Sequence, residues 1–402
     1  MVTNNEQNKL NVPHLRFPEF EEEWNIKTLG SLSKGIGDGI HATPIYDDNG
    51  SYYFINGNNL SERGINISEA TKRVSKEEAY KNNAAILNDR TILLSINGTI
   101  GNVALYNNEP IMLGKSACFI NVSPHINKHY VYHYLQTNKC QTYFKSELTG
   151  TTIKNLSLQS VRNAKIALPS IYEQNRIAKL LDVIDERIAT QSKLIEDLKK
   201  LKSAIIDYAI DSLDADFVKF GSLYETAGEG GTPTTSNAQF YENGKIPFIK
   251  IDDLKQKYLT ENNDFITELG LQKSSAWLVP TRSILFSNGA TIGEISITTY
   301  SVCTKQGILG IVPKQNIDVE FLYYFMSSSY FKKAVSRIVT EGTMKTAYLK
   351  DINNILCPIA IKEEQQEIAK MPSALNSKLD IEQSILKLFG SQKQYLLRQM
   401  FM

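Results

Sequence analysis

At 402 residues the chain exceeds one ordinary domain, so two or three are expected. With 42% hydrophobic and 22% charged residues its composition is globular, and a net charge of +1 excludes a global pull toward nucleic acid or membrane. Any grip on DNA must come from local basic patches.

The polar start MVTNNEQNKL is not a secretory signal, and no apolar run approaches the roughly 20 residues of a membrane span. Cys118, Cys140, Cys303 and Cys357 are scattered without a C-x-x-C pair, so free thiols and a cytoplasmic location are expected. The leader VPHLRFPEF, with Pro13 and Pro18, reads as an extended segment packed on the first domain through Leu15, Phe17 and Phe20. Short apolar or alternating runs punctuated by Asn-Gly follow: YYFING, TILLSING and NVALYN. They predict strands and hairpins. The aromatic run HYVYHYLQT predicts a helix.

Residues 173–210 differ in kind. Ile177, Leu181, Ile184, Ile188, Gln191, Ile195, Leu198, Lys202, Ile205 and Ala209 are spaced alternately by four and three, the pattern of a coiled coil. Seven basic and seven acidic residues cancel over this stretch, which suits a spacer and a protein-docking surface better than a DNA grip.

The chain then repeats itself. Leu29-Gly-Ser-Leu32 returns as Phe220-Gly-Ser-Leu223, and Asn97-Gly98 returns as Asn288-Gly289, each 191 residues later. HYVYHYL returns as EFLYYFM, Gly150-Thr151 as Gly342-Thr343, and Ile177-Ala-Lys as Ile368-Ala-Lys, in the same order. So long a period marks a duplicated domain rather than a solenoid. IPFIKI, SILFSNG and EISITTY are the second set of strands. The seam returns as Ile368, Pro372, Leu375, Leu379, Glu382, Leu386, Phe389, Lys393, Leu396 and Met400. Its polar interruptions coincide, Gln191 with Glu382 and Lys202 with Lys393. Pro372 stands where the first copy has Leu181, and predicts a break, with the long second helix starting near Ser373.

The fold class is therefore α+β: two similar globular domains separated by two long helices in an antiparallel coiled coil, as a tandem duplication of approximate two-fold symmetry. Two like heads at a fixed separation suit a divided target such as DNA with two half-sites. Catalytic signatures are lacking. There is no P-loop, GIGDGI reads as a turn, and no Asn-Pro-Pro or Asp-Pro-Pro segment occurs. His125, His129 and His133 share a helix face, but the second copy has Asn316, Glu320 and Tyr324 there, so they read as surface and core histidines rather than metal ligands.

VPHLRFPEFEEEW-x4-LG, TIKNLSLQSVRNAKIALPS, GEGGTPTTS and the P-x-x-x-E-Q-x-x-I helix entry together resemble the specificity subunit of type I restriction–modification systems, over nearly the whole chain. The resemblance implies target-recognition domains at 1–166 and 213–357, and helical spacer regions at 167–212 and 358–402. It implies double-stranded DNA as ligand and two modification subunits that methylate adenine with S-adenosylmethionine. It also implies two restriction subunits that use ATP and Mg2+ to cut unmodified DNA, and a chain that itself binds no cofactor and catalyses nothing.

The family's motifs name no DNA-contacting residues, so the two copies are compared. Shared residues suit backbone contact, and polar residues that differ within a shared frame suit base reading. Lys115 with Lys305, and Thr151 with Thr343, are the shared set, and Thr152 beside them is a further candidate. Ser116 is set against Gln306, and Asn56, Asn58 and Asn59 against Lys250, Asp252 and Asp253. Amides suit adenine, lysine suits guanine, and a carboxylate accepts from cytosine. Lys154 and Arg162, with Lys345 and Lys350, are phosphate candidates. The rival readings are a DNA-binding protein acting alone and a coiled-coil protein adaptor.

Overall fold

The computed structural model describes residues 11–61, 64–82, 86–150, 154–289, 291–339 and 345–402. The chain divides into two compact units, and the divisions fall inside the two long helices. Unit 1 comprises residues 1–193 and 384–402; unit 2 comprises 194–383.

Unit 1 contains strands β1 (Ser33–Asp38), β2 (Tyr52–Ile55), β3 (Arg73–Val74), helix α1 (Lys76–Lys81), and strands β4 (Thr91–Ser95), β5 (Val103–Leu105), β6 (Ile111–Leu113) and β7 (Ala117–Val122). One sheet is antiparallel in the order β1-β7-β4-β5. The run TILLS is buried along its whole length because β4 lies inside that sheet with both faces covered. A second sheet has the order β3-β2-β6, with β2 and β6 parallel. Helix α2 (Lys128–Leu135) buries all of Tyr130–Leu135, which makes it a core helix rather than an amphipathic surface one. The long helix α3 (Ile171–Asp211) starts in unit 1 and ends in unit 2.

Unit 2 repeats the plan with β8 (Tyr224–Glu229), β9 (Ile246–Ile249), β10 (Tyr258–Leu259), β11 (Phe265–Ile266), β12 (Ile284–Ser287), β13 (Ile295–Thr298), β14 (Cys303–Thr304) and β15 (Ile308–Pro313). The sheets have the orders β8-β15-β12-β13-β10 and β11-β9-β14. Helix α4 (Val319–Ser327) is the buried counterpart of α2. Cys118 pairs with Asp38 in unit 1 as Leu309 pairs with Glu229 in unit 2, so the sequence period is a period of sheet register. Helix α5 (Lys362–Gln399) starts in unit 2 and ends in unit 1.

Within each unit one half of α3 lies against one half of α5, in opposite directions. In unit 1, Ile177 and Leu181 share a core with Leu397, Met400 and Phe401, and Asp185 meets Lys393. In unit 2, Lys202 meets Asn376, while Ile206 and Ile210 share a core with Ala369. All predicted seam residues are buried or half-buried. Toward the end of α3 the deepest burial moves from Ile205 and Ala209 to Ile206 and Ile210. A straight helix drifts about 20° per heptad, and here its last turns pack on the α+β core.

The break expected at Pro372 does not occur: α5 begins at Lys362 and runs through the proline. Pro372 is buried, and the next residue, Ser373, is hydrogen-bonded to Lys257 and Tyr324. Tertiary packing thus outweighs the lost backbone hydrogen bond. In the leader, Leu15 stays exposed and is held by its backbone N–H to the Gln399 carbonyl at 2.8 Å, whereas Phe17 packs on the core as expected. All four cysteines are free and buried. Among the described residues no helix is long and apolar enough to cross a membrane, and no cluster of acidic, histidine or cysteine side chains could hold a metal ion.

Candidate nucleic-acid interface

In unit 1 three loops converge where β2, β4 and β6 end. β2 and β6 run parallel with Ile55 opposite Leu113, so Asn56 and Gly114 leave the sheet side by side. The 56–59 turn is closed by the Asn56 N–H donating to Asn59 Oδ1 at 2.9 Å. Ser116 Oγ donates to Asn56 Oδ1 (2.9 Å) and accepts from the Gly57 N–H (2.8 Å). Thr99 Oγ1 donates to the Gly57 carbonyl (2.7 Å). A side chain at Gly57 would meet the Asn97 and Ser116 carbonyl oxygens at 2.8 Å, so only glycine lets the three loops close. Asn56, Asn59 and Ser116 are therefore engaged in holding the cluster, and Asn58 and Lys115 face solvent.

Unit 2 builds the same turn from different residues. The Lys250 N–H donates to Asp253 Oδ2 at 2.8 Å, which bears out the pairing of Asn56 with Lys250 and Asn59 with Asp253. The Lys250 ammonium reaches Asp264 (2.8 Å). The pairing of Lys115 with Lys305 is one residue out of register. Gly114 N–H donates to Ile55 O, and Lys305 N–H donates to Ile249 O, so Lys305 holds the place of Gly114 and Gln306 that of Lys115. The Gln306 N–H donates to Thr232 Oγ1, tying the Gly230-Gly231-Thr232 segment to the cluster. Asp252, Lys305 and Gln306 face solvent.

Among the phosphate candidates, Lys154, Lys345 and Lys350 are exposed. Arg162 is instead turned onto the Ile36 carbonyl at 2.7 Å, a structural bond that holds its helix to β1. Thr151, Thr152 and Thr343 lie outside the described residues.

The helical seam carries a polar node in each unit. In unit 1, Lys393 Nζ donates to Asp185 Oδ1 (2.6 Å) and Gln136 Oε1 (2.8 Å). One turn earlier, Asp182 Oδ1 is shared by His129 Nδ1 (3.0 Å) and His133 Nε2 (2.8 Å). Burial pushes the Asp182 carboxyl up, but the two imidazole hydrogen bonds outweigh it and hold the group well below the carboxylate range. Burial lowers His133, which is fully enclosed, against the opposing pull of Asp182. In unit 2 the same places hold Tyr324 and Ser373, whose hydroxyls lie 3.1 Å apart and both accept from Lys257. Lys257 also pairs with Glu320, and Lys202 donates to Asn376 Oδ1 (3.1 Å). Burial lowers the Lys202 ammonium.

The family described as type I restriction modification DNA specificity domain matches residues 21–200 and, a second time, 213–388. The chain belongs to that family. It is 24% identical over 360 residues to the type I restriction enzyme MjaIX specificity subunit of Methanocaldococcus jannaschii, covering 83% of this chain and 82% of the relative. It is 25% identical over 407 residues to the MjaVIII specificity subunit of the same organism, covering 94% and 91%. The fold is that of the type I S subunit from M. genitalium, with a TM-score of 0.58 at 20% identity over 97% of this chain and 99% of the other.

Each match to the DNA specificity domain spans one α+β head and most of the helix after it, whereas each compact unit takes parts of both helices. Two features escaped the sequence reading of this family member. One is the clamp in which Arg16 pairs with both Glu173 oxygens at 2.8 Å while Trp24 Nε1 donates to Glu173 Oε2 at 3.2 Å. The other is the buried Lys257. A charged residue at the helix entry, Glu173, beside an arginine-bearing leader was the available signal for the first. Nothing local signals that Lys257 is buried.

Proposed function

We propose that this chain is the DNA sequence-recognition subunit of a type I restriction–modification complex. Each head reads one half of a bipartite, gapped site through its convergent loops. The paired helices set the gap and dock two modification subunits, which methylate adenine with S-adenosylmethionine. Two restriction subunits, with ATP and Mg2+, cleave DNA that lacks the methylation. The chain itself contributes recognition and no chemistry.

The observation that carries this reading is the duplication in its structural form. The same strand ends present the same loop frame twice, with Asn58 and Lys115 outward in one copy and Asp252, Lys305 and Gln306 in the other. A shared frame with different outward polar groups is what two half-sites of unlike sequence require. The test is to map methylated adenines in DNA from cells expressing this chain with its modification subunit. A single asymmetric sequence with a fixed internal gap is expected, absent when this chain is omitted. Methylation that does not depend on this chain, or salt-independent DNA affinity of the assembled complex, would overturn the proposal.

A further inference from the structure

Unit 1 carries an aromatic ledge, bearing two exposed lysines and edged by Asp47, Asp48 and Glu77, that the loop cluster does not use. β3 lies antiparallel to β2, with Tyr53 opposite Arg73, and the Phe54 N–H donates to the Lys72 carbonyl. Side chains alternate between faces, so Lys72, Val74, Tyr52 and Phe54 share one face and Arg73 lies on the other. On the shared face Lys72 Nζ stands 4.3 Å from the centroid of Tyr46, and Tyr46 packs edge-on against Phe54 at 5.9 Å. Helix α1 covers the next stretch of this face through Ala79 and adds Lys76, whose Nζ is 5.6 Å from the Tyr80 ring. Tyr80 in turn packs edge-on against Tyr52 at 5.9 Å. Tyr46, Lys72, Lys76 and Tyr80 are all exposed.

The ledge is continuous with the loop cluster. The tip of the Phe54 ring lies 2.8 Å from the place a side chain would take at Gly114, whose neighbour Lys115 faces solvent. From Gly114 the contacts run through Phe54 and Tyr46 to Lys72. Among the described residues, the matching β11-β9-β14 lobe of unit 2 has no lysine over a ring, and there Lys250 is paired with Asp264. Fixing a lysine costs rotamer freedom, and a ring beneath the ammonium removes some of that cost in advance.

We infer that the Tyr46–Lys72–Lys76–Tyr80 ledge binds the phosphate backbone of duplex DNA beside the half-site read by unit 1. It adds affinity and no sequence preference, and it makes the two heads unequal in grip. The inference rests on the proposed function. Phosphate contacts release counterions, so each one removed lowers the slope of log affinity against log salt by about 0.9.

The experiment uses the full chain assembled with its modification subunits. Anisotropy titrations compare a duplex bearing the methylated sequence with one whose half-sites are scrambled. K72A/K76A is expected to reduce the salt slope by about 1.8 on both duplexes. Over a fourfold rise in salt the wild type should therefore lose roughly tenfold more affinity than the variant. The methylated sequence should not change, and K245A/K273A, which removes two exposed lysines from the matching lobe of unit 2, should leave the slope intact. An unchanged slope in K72A/K76A, an equal fall in the control, or an altered methylated sequence would overturn the ledge. Should the wild-type complex show no salt-dependent affinity, the proposed function falls first and the ledge with it.

Discussion

Lys393 Nζ meets Asp185 Oδ1 at 2.6 Å, joining the end of α5 to the start of α3 inside unit 1. Lys202 and Asn376 repeat the contact in unit 2 with the helices exchanged. A heptad seam repeats every seven residues, so apolar burial alone fits registers one heptad apart. A lone lysine that needs a partner does not. Replacing Lys393 by Met strands Asp185 and Gln136 and is expected to cost about 1–3 kcal/mol. K393M/D185L should recover most of that loss, because an apolar pair of similar size is well tolerated once both charges are gone. Urea unfolding of the full chain across the double-mutant cycle measures the coupling; additive losses would mean that the pair is not coupled.

Acid should loosen unit 1 before unit 2. The folded state holds His133 below its ordinary value near 6.5, so as pH falls through that value the unfolded chain takes up a proton that the buried imidazole does not. Stability is therefore complete above about pH 7 and declines below it. Asp182, held low, contributes stability that is complete above the ordinary carboxylate value near 3.9 and is lost only as pH falls from there toward its depressed folded value. The corresponding node of unit 2 has no histidine. Hydrogen exchange at pH 7.5 and pH 5.5 should show faster exchange in α2 and the first half of α3 at the lower pH, with α4 unchanged. H133F should remove the difference.

Leu181 lies in one core with Trp24, Tyr130 and Phe401 as well as on the helical seam. L181D buries an unpaired carboxylate there and should unfold unit 1 as a whole rather than only loosen the helix pair. Exchange protection in β4 should collapse together with that of α3. Protection retained in β4 would show that the seam and the head core are energetically separate.

Specificity should follow the heads. Replacing residues 20–165 by those of a related subunit is expected to change one half of the methylated sequence and leave the other intact. Replacing 213–356 should do the converse. A swap that altered both halves would end the two-head reading.

The gap should follow the helices, provided both are lengthened together. Register is pinned inside each unit by Lys393 with Asp185 and by Lys202 with Asn376, so an insertion in one helix alone strains one of these contacts. Four residues inserted after Lys193 and four after Gln383, where the units divide, would add about 6 Å and about 40°. At about 3.4 Å per base pair the preferred gap should lengthen by one or two base pairs, with both half-sites unchanged. Methylome sequencing reads this directly. An active double insertion with an unchanged gap would show that something other than the helices sets the spacing.

The sequence alone settled the duplication, the strand-rich heads, the aromatic helices and both seams. Each is written in local periodicity or in repetition at a fixed offset, and neither needs a long-range contact to be read. The tertiary structure decided where the units divide, that α5 runs through Pro372, and which of the nominated polar residues face outward. Helix propensity argues against a mid-helix proline, but burial of Pro372 and the Lys257–Ser373–Tyr324 hydrogen bonds outweigh it. Asn56 and Ser116 look like free amide and hydroxyl groups until the parallel pairing of β2 with β6 brings them within 2.9 Å of each other. Lys72 and Tyr46 meet only because the strand between them folds back. Contacts made across such distances in the chain depend on the whole fold being closed, and no window of sequence contains them.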